Sequence, residues 1–381
     1  MGTQVEPAMR ISGVRASFTA VKGRVLRIAT GEGERSLGID RDGSWAEAKA
    51  AGAGTIDLTG WMALPGLVDA HAHLAAGTIG ELLDPTRGRA EHVARHAAEQ
   101  LVAGVTLIAD KGTDHIETVA ATMALDPADR PEVELAGLLL ANPGGYYVGA
   151  ATEIDPSEIG AAVDGYGTDD VGWVKLIGDW PRRGLGAVRN FTEEELRVAA
   201  DHAHRRGMRV AIHTAAPDTP GMAVRAGIDS IEHGLFLTED DVAMLGERGG
   251  AWVPTIAAME DLASALGPDS SGGRLVGEGL ANVRSLLAPA VAAGVRVMAG
   301  TDLSLPHGAV VAEAERLVAC GLSEADAIEA MVGSARRFLG RPGLTVGEPA
   351  DLLLVDPPVG LAELSRPRLV LRCGRVVVDT R

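Results

Sequence analysis

Residues 64–73 read Leu64-Pro65-Gly66-Leu67-Val68-Asp69-Ala70-His71-Ala72-His73, an apolar run that closes on two imidazoles. In extended backbone, side chains two positions apart point to the same side, so His71 and His73 are placed to chelate one cation. An apolar strand ending in polar residues is what a (β/α)8 barrel requires, because its functional groups come from the C-terminal ends of the strands.

Working outward, strand-like runs appear at Met62–Val68, Gly104–Ala109, Val133–Leu140, Val171–Ile177, Arg209–Ile212, Ser230–Glu232, Ala251–Thr255 and Val295–Ala299. Amphipathic stretches separate them, the alternation expected of βα units on a parallel sheet. Eight runs between residues 62 and 340 predict an α/β fold built on a closed (β/α)8 TIM-like barrel. The helices carry start signals, Thr192 with Glu195 and Thr238 with Asp241, in which a hydroxyl and an acid three residues on satisfy free backbone N–H groups. Helix ends are marked by Gly207 after Arg205 and Arg206, and by Gly249 after Arg248. The stretches Ala141–Gly149 and Gly267–Gly273 read as long loops over one barrel face.

The flanks differ. Ile11 to Ile39 and Ala350 to Val378 are rich in Val, Leu and Ile, broken by Gly, with little helical periodicity. Neither is long enough to bury a core alone, so residues 1–61 and 341–381 are expected to form one small β-sandwich domain from both chain ends.

Composition narrows the class of function. A formal net charge of −17 disfavours nucleic acid and anionic membrane as partners, since phosphate binding needs clustered Lys and Arg. Two cysteines, Cys320 and Cys373, suit a reducing compartment. Met1 to Arg10 contains no signal-peptide run, and no segment sustains the roughly 18 apolar residues of a membrane helix. A cytoplasmic protein with a small-molecule substrate is therefore expected, with no nucleic-acid or membrane partner and with homo-oligomerisation open.

Four other strand ends supply candidates. Lys175 sits among Trp173, Val174, Leu176 and Ile177, where a buried ammonium loses solvation. Either it reaches the barrel mouth or pairs with Asp179, or its lowered pKa frees it to react with carbon dioxide and become an anionic carbamate ligand. His213 and His233 close the fifth and sixth runs, and Asp302 follows the eighth. Each alone has a structural reading, Asp302 as a helix cap. Together with His71 and His73 they could converge on one centre. His92, His96, His202 and His204 fall on helices and read as solvated.

These residues resemble the amidohydrolase superfamily, in the branch similar to imidazolonepropionases and metal-dependent prolidases. The resemblance rests on residues 64–73, Trp173-Val174-Lys175, Ile212-His213, Ile231-Glu232-His233-Gly234, Gly300-Thr301-Asp302 and the closing Gly347-Glu348-Pro349-Ala350-Asp351-Leu352, and it covers nearly the whole chain. It implies two divalent metal ions, for which Zn²⁺ suits the ligands. His71 and His73 would hold the buried ion, His213 and His233 the exposed one, and a carboxylated Lys175 would bridge them. Asp302 would ligate the buried ion and act as general base toward a metal-activated hydroxide. The implied activity is hydrolysis of an amide bond in a dipeptide, N-acyl amino acid or cyclic amide. The alternatives are a mononuclear aminohydrolase acting on an aminated heterocycle and a barrel scaffold without chemistry. Tyr147, Arg182, Arg183 and His307 are candidates for substrate contact. The Gly144-Gly145-Tyr146-Tyr147 segment departs from the Gly/His-rich loop of related dipeptidases.

Overall fold

The computed structural model describes residues 21–49, 54–84, 89–113, 115, 117–167, 169–182 and 184–381. The N-terminal segment expected to lack a leader, the part of the first flank before residue 21, and Arg183 lie outside the described residues.

Eight parallel strands make the main sheet: Leu67–Ala72, Val105–Asp110, Glu132–Ala141, Val171–Ile177, Arg209–Thr214, Ser230–His233, Ala251–Val253 and Arg296–Val297, adjacent in that order. We number them one to eight. A short strand, Thr152–Glu153, adds to strand three. The sheet curls in the manner of a TIM-like barrel: Ala70 N–H of strand one donates to Ala299 O at 2.8 Å, and Asp302 N–H donates to His71 O at 2.7 Å. Both edges of the sheet thus meet beside the His71-Ala72-His73 segment.

The run expected as strand one is split. Met62–Leu64 end a strand, Thr55–Leu64, that belongs to a second sheet, and the parallel sheet starts only at Leu67. Pro65 has no N–H to offer a ladder and Gly66 has φ 89°, so the chain turns here from one sheet into the other.

The second sheet draws on both flanks. It is one seven-stranded sheet rather than two packed sheets, containing Val25–Thr30, Gly33–Ile39, Trp45–Glu47, Thr55–Leu64, Leu352–Val355, Leu369–Arg372 and Arg375–Asp379. The reason is that the strand Thr55–Leu64 pairs on both sides, parallel to Val25–Thr30 and antiparallel to Leu352–Val355, so the two flanks join into a continuous ladder. Period-2 alternation attaches this sheet to the parallel one. Leu352 and Leu354 pack into a small core with Leu26, Ile28 and Trp45, whereas Leu353 and Val355 belong to the main core.

The helix signals at Thr192 and Thr238 are reciprocal capping boxes with Glu195 and Asp241. The supposed loop at Gly267–Gly273 is shorter than expected, because its last three residues, Ser271 to Gly273, are helical. Ser270 Oγ accepts from Gly273 N–H at 2.8 Å and opens the helix Ser271–Ala292, leaving a connection of a few residues. Residues 142–151 are a loop, as expected. No helix among the described residues is long and apolar enough to cross a membrane.

Leu353 is fully buried between the two sheets. Leu353→Ala is expected to cost about 2–5 kcal/mol, read as a lower denaturant midpoint at unchanged slope. A change within about 0.5 kcal/mol would mean that the two cores are not coupled through this side chain.

Candidate metal centre

Strand one ends with two imidazoles facing the carboxylate that follows strand eight. His71 Nε2 lies 3.6 Å and His73 Nε2 3.5 Å from the same Asp302 Oδ1. Donor atoms around a tetrahedral ion with bonds of about 2.1 Å stand about 3.4 Å apart, so this spacing matches a ligand set. His71, His73 and Asp302 are the group of potential ligands, among the described residues, whose donor atoms come within 4.8 Å of one another. His233 and His213 border them, with ring centroids 5.5 Å apart for His71 and His233 and 4.5 Å for His213 and His233.

The outward-facing nitrogens have their roles set by the polar groups behind the rings. His71 Nδ1 is 2.7 Å from Glu232 Oε2, and His73 Nδ1 is 2.7 Å from the carbonyl of Gly112, an acceptor only. The Thr255 hydroxyl donates to Pro254 O at 2.8 Å and therefore accepts from His233 Nδ1 at 2.5 Å. In each case Nδ1 carries the proton and Nε2 faces the site, the tautomer a metal ligand needs when the ring is neutral. Burial alone would lower the pKa of His73, but Asp302 and Asp110 outweigh it and raise it. Burial also holds the pKa of His71 down to about 4, that of His213 to about 3 and that of His233 well below its ordinary value, so these imidazoles are neutral at pH 7. Burial alone would raise Asp302, but His71, His73 and His233 outweigh it and hold the carboxyl well below the usual range.

Lys175 is 2% exposed, and its Nζ has no hydrogen-bond partner. Burial lowers its pKa to about 8. The expected partner Asp179 is engaged elsewhere, accepting from Ala215 N–H at 3.1 and 3.0 Å and from Ala216 N–H at 3.0 Å. An orphaned buried amine beside neutral imidazoles and an ionised carboxylate fits a site for cations, into which a carboxylated lysine would bring anionic oxygen.

Backbone strain collects at the same place. His233 (φ 64°), Thr255 (φ 45°) and Asp302 (φ 51°) occupy the left-handed region without being glycine, at a cost of about 1–3 kcal/mol each. Asp302 is held there by Asp69, which is fully buried and accepts from Thr301 Oγ1 at 2.6 Å, Thr301 N at 3.0 Å and Gln100 Nε2 at 3.1 Å.

The candidates for substrate contact are not gathered in one place: Tyr147 is half-buried and Arg182 part-buried, whereas His307 is buried. The Tyr147 ring is 4.6 Å from Trp180, which also packs on Tyr146 and lies 5.8 Å from His213. Arg182 donates to Asn142 Oδ1 and, at 3.3 Å, to Asn190 Oδ1. His307 stacks on His96 with centroids 4.0 Å apart, its ring nitrogens near Gln100 Nε2 (3.2 Å) and Ala76 O (3.3 Å).

Two histidines expected to be solvated are buried. His92 Nδ1 bonds Ala75 O at 3.1 Å and His96 Nδ1 bonds Leu74 O at 2.9 Å, because this face of the helix Arg89–Val102 packs on the loop that follows His73. His204 does sit on the outside, 2.9 Å from Asp229, whereas His202 is half-buried beside Gly160, its Nδ1 2.9 Å from Asp164. Sequence reasoning passed over Lys111, Glu232, Asp69, Tyr146 and Trp180. For Lys111 and Glu232 the signal was available, a charge within or just after an apolar strand, as at Lys175.

Known proteins resemble the chain over most of its length. The model of the amidohydrolase family matches residues 62–377. An uncharacterized protein of Mycobacterium tuberculosis is 38% identical over 346 residues, spanning 88% of this chain and 90% of that one. The imidazolonepropionase of Saccharopolyspora erythraea is 30% identical over 239 residues, 55% of this chain and 57% of its own length. The crystal structure of an Xaa-Pro dipeptidase superposes with a TM-score of 0.74 at 22% identity, covering 93% of this chain and 99% of that one.

Asp179 yields a prediction about pH. Burial raises its carboxyl from 3.8 to about 6. The unfolded carboxyl releases its proton first, so the folded state binds more protons between about pH 4 and pH 6 and stability falls across that window, by on the order of 2–3 kcal/mol. Asp179→Asn lacks this loss, so the stability of the variant minus that of the wild type should rise from pH 4 to pH 6 in urea titrations. A flat difference would contradict the shift.

Proposed function

The chain belongs to the amidohydrolase family, and on that premise we propose that it is a metal-dependent enzyme hydrolysing an amide C–N bond of a small molecule, such as a dipeptide, an N-acyl amino acid or a cyclic amide. The observation that carries this reading is the convergence of His71 Nε2 and His73 Nε2 on Asp302 Oδ1 at ligand spacing. The names of two relatives, an imidazolonepropionase and an Xaa-Pro dipeptidase, support a C–N bond as the target.

In this reading His71, His73 and Asp302 would hold one cation and His213 and His233 a second, with a carboxylated Lys175 as a further anionic ligand. The nitrogen and oxygen donors suit Zn²⁺. A divalent ion bound there supplies Lewis acidity, polarising a carbonyl and making water ionise near neutral pH. Asp302, kept ionised by its imidazole neighbours, accepts the proton of the attacking water and returns it to the leaving nitrogen, which departs as a neutral amine. Tyr147 and Trp180 offer a flat apolar wall to the substrate. Arg182, hydrogen-bonded to two neutral amides, keeps its charge available for a substrate carboxylate.

A one-metal aminohydrolase is the second reading. It is favoured by the tight grouping of His71, His73 and Asp302 without the other candidates.

Asp302→Asn is expected to lower turnover of the best amide substrate by about 100- to 10,000-fold while metal content per chain stays near the wild-type value. Full activity in that variant, or no metal-dependent hydrolysis of any dipeptide, N-acyl amino acid or lactam, contradicts the proposal. Ammonia release from an aminated heterocycle by protein carrying one ion per chain would select the second reading.

A further inference from the structure

A second buried ammonium lies behind the metal centre. Lys111 follows strand two and is 1% exposed, its Nζ 2.9 Å from Glu232 Oε1 and 4.8 Å from the centre of the Trp173 ring. Glu232, fully buried on strand six, has both oxygens engaged: Oε1 meets Lys111 and accepts from Ser230 Oγ at 2.6 Å, while Oε2 faces His71 Nδ1 at 2.7 Å. The other nearby carboxylate, Asp110, accepts from the backbone N–H groups of Leu74 and Gly112, both at 2.9 Å, so the ion pair of Lys111 is with Glu232. Lys111, Glu232 and His71 thus form a chain from strand two through strand six to strand one.

We propose that Lys111 and Glu232 are positioning residues for the metal centre: the ammonium fixes the carboxylate in one orientation, and the carboxylate fixes His71 with Nδ1 protonated and Nε2 turned toward Asp302. This rests on the reading of His71 as a metal ligand. The logic is geometric. A buried carboxylate without its cation turns to whichever other charge it can reach, and Lys175 is the second ammonium whose field acts on Glu232. Glu232 pairing with Lys175 would leave the His71 ring without its anchor and would tie up the amine that the ligand role needs free.

The test is Zn²⁺ affinity of the intact protein, measured by competition with a chromophoric chelator. Lys111→Met is expected to bind about 10- to 100-fold more weakly than wild type. The neutral pair Lys111→Met with Glu232→Gln, which keeps an acceptor for His71 Nδ1 and leaves no unpaired charge, should recover at least about tenfold of that loss. Lys111→Met with Glu232→Leu, equally neutral but lacking the acceptor, should not recover it. The contrast between the two double variants stands even if the single variant does not fold, and thermal melts of the metal-free proteins separate folding from affinity. Wild-type affinity in Lys111→Met, or equal affinity in the two double variants, overturns the inference. A wild-type protein that binds no Zn²⁺ overturns instead the metal-centre reading beneath it.

Discussion

A carboxylate sealed from water ties the two edges of the parallel sheet together. Asp69 on strand one receives the hydroxyl and the amide of Thr301, the amide of His71 at 3.3 Å and the side chain of Gln100. Burying a charged or polar group is costly unless its lone pairs are satisfied, and four donors satisfy these. The consequence is positional. Thr301 cannot move without breaking bonds to strand one, so Asp302 is delivered to His71 and His73 from the far end of the chain, with its backbone forced into the left-handed region.

The electrostatics follow from that enclosure. Burial keeps three imidazoles neutral, while the carboxylates among them stay ionised because cations and rings face them, Lys111 and Lys175 at Glu232 and the histidines at Asp302. Neutral nitrogen donors beside a fixed anion are what a divalent ion needs, and the strain at His233, Thr255 and Asp302 is sustained by the packed sheet around them. The loop after strand one is fastened by His92, His96 and His307, each bonded to a successive carbonyl from residue 74 to residue 76 in the order His96, His92, His307. These three rings serve the centre by holding the backbone that leads away from it.

The parallel sheet was legible from its alternating apolar runs, and the candidate ligands from the five strand ends that showed the same local pattern, an apolar run closed by a polar group. The chain's exit from the second sheet was less so. Met62 to Val68 is continuous in hydropathy, and only the Pro65-Gly66 pair marks that its halves belong to different sheets. His92 and His96 were misread because helical periodicity shows which residues share a face but not what the face meets, and here it meets a loop whose carbonyls need donors. Ser270 was hidden among glycines that look like a loop until the hydroxyl is seen capping Gly273. Lys111 and Glu232 could not be paired from sequence, since neither neighbours the other until strands two and six face across the curled sheet.

The account turns on where a cation sits when the protein holds one. Crystals of the Zn²⁺-loaded protein, with diffraction recorded on both sides of the zinc absorption edge, locate it directly. The account predicts an anomalous peak at about 2.0–2.2 Å from His71 Nε2, His73 Nε2 and an Asp302 oxygen. A peak elsewhere on the chain, or none at these three atoms, would contradict it.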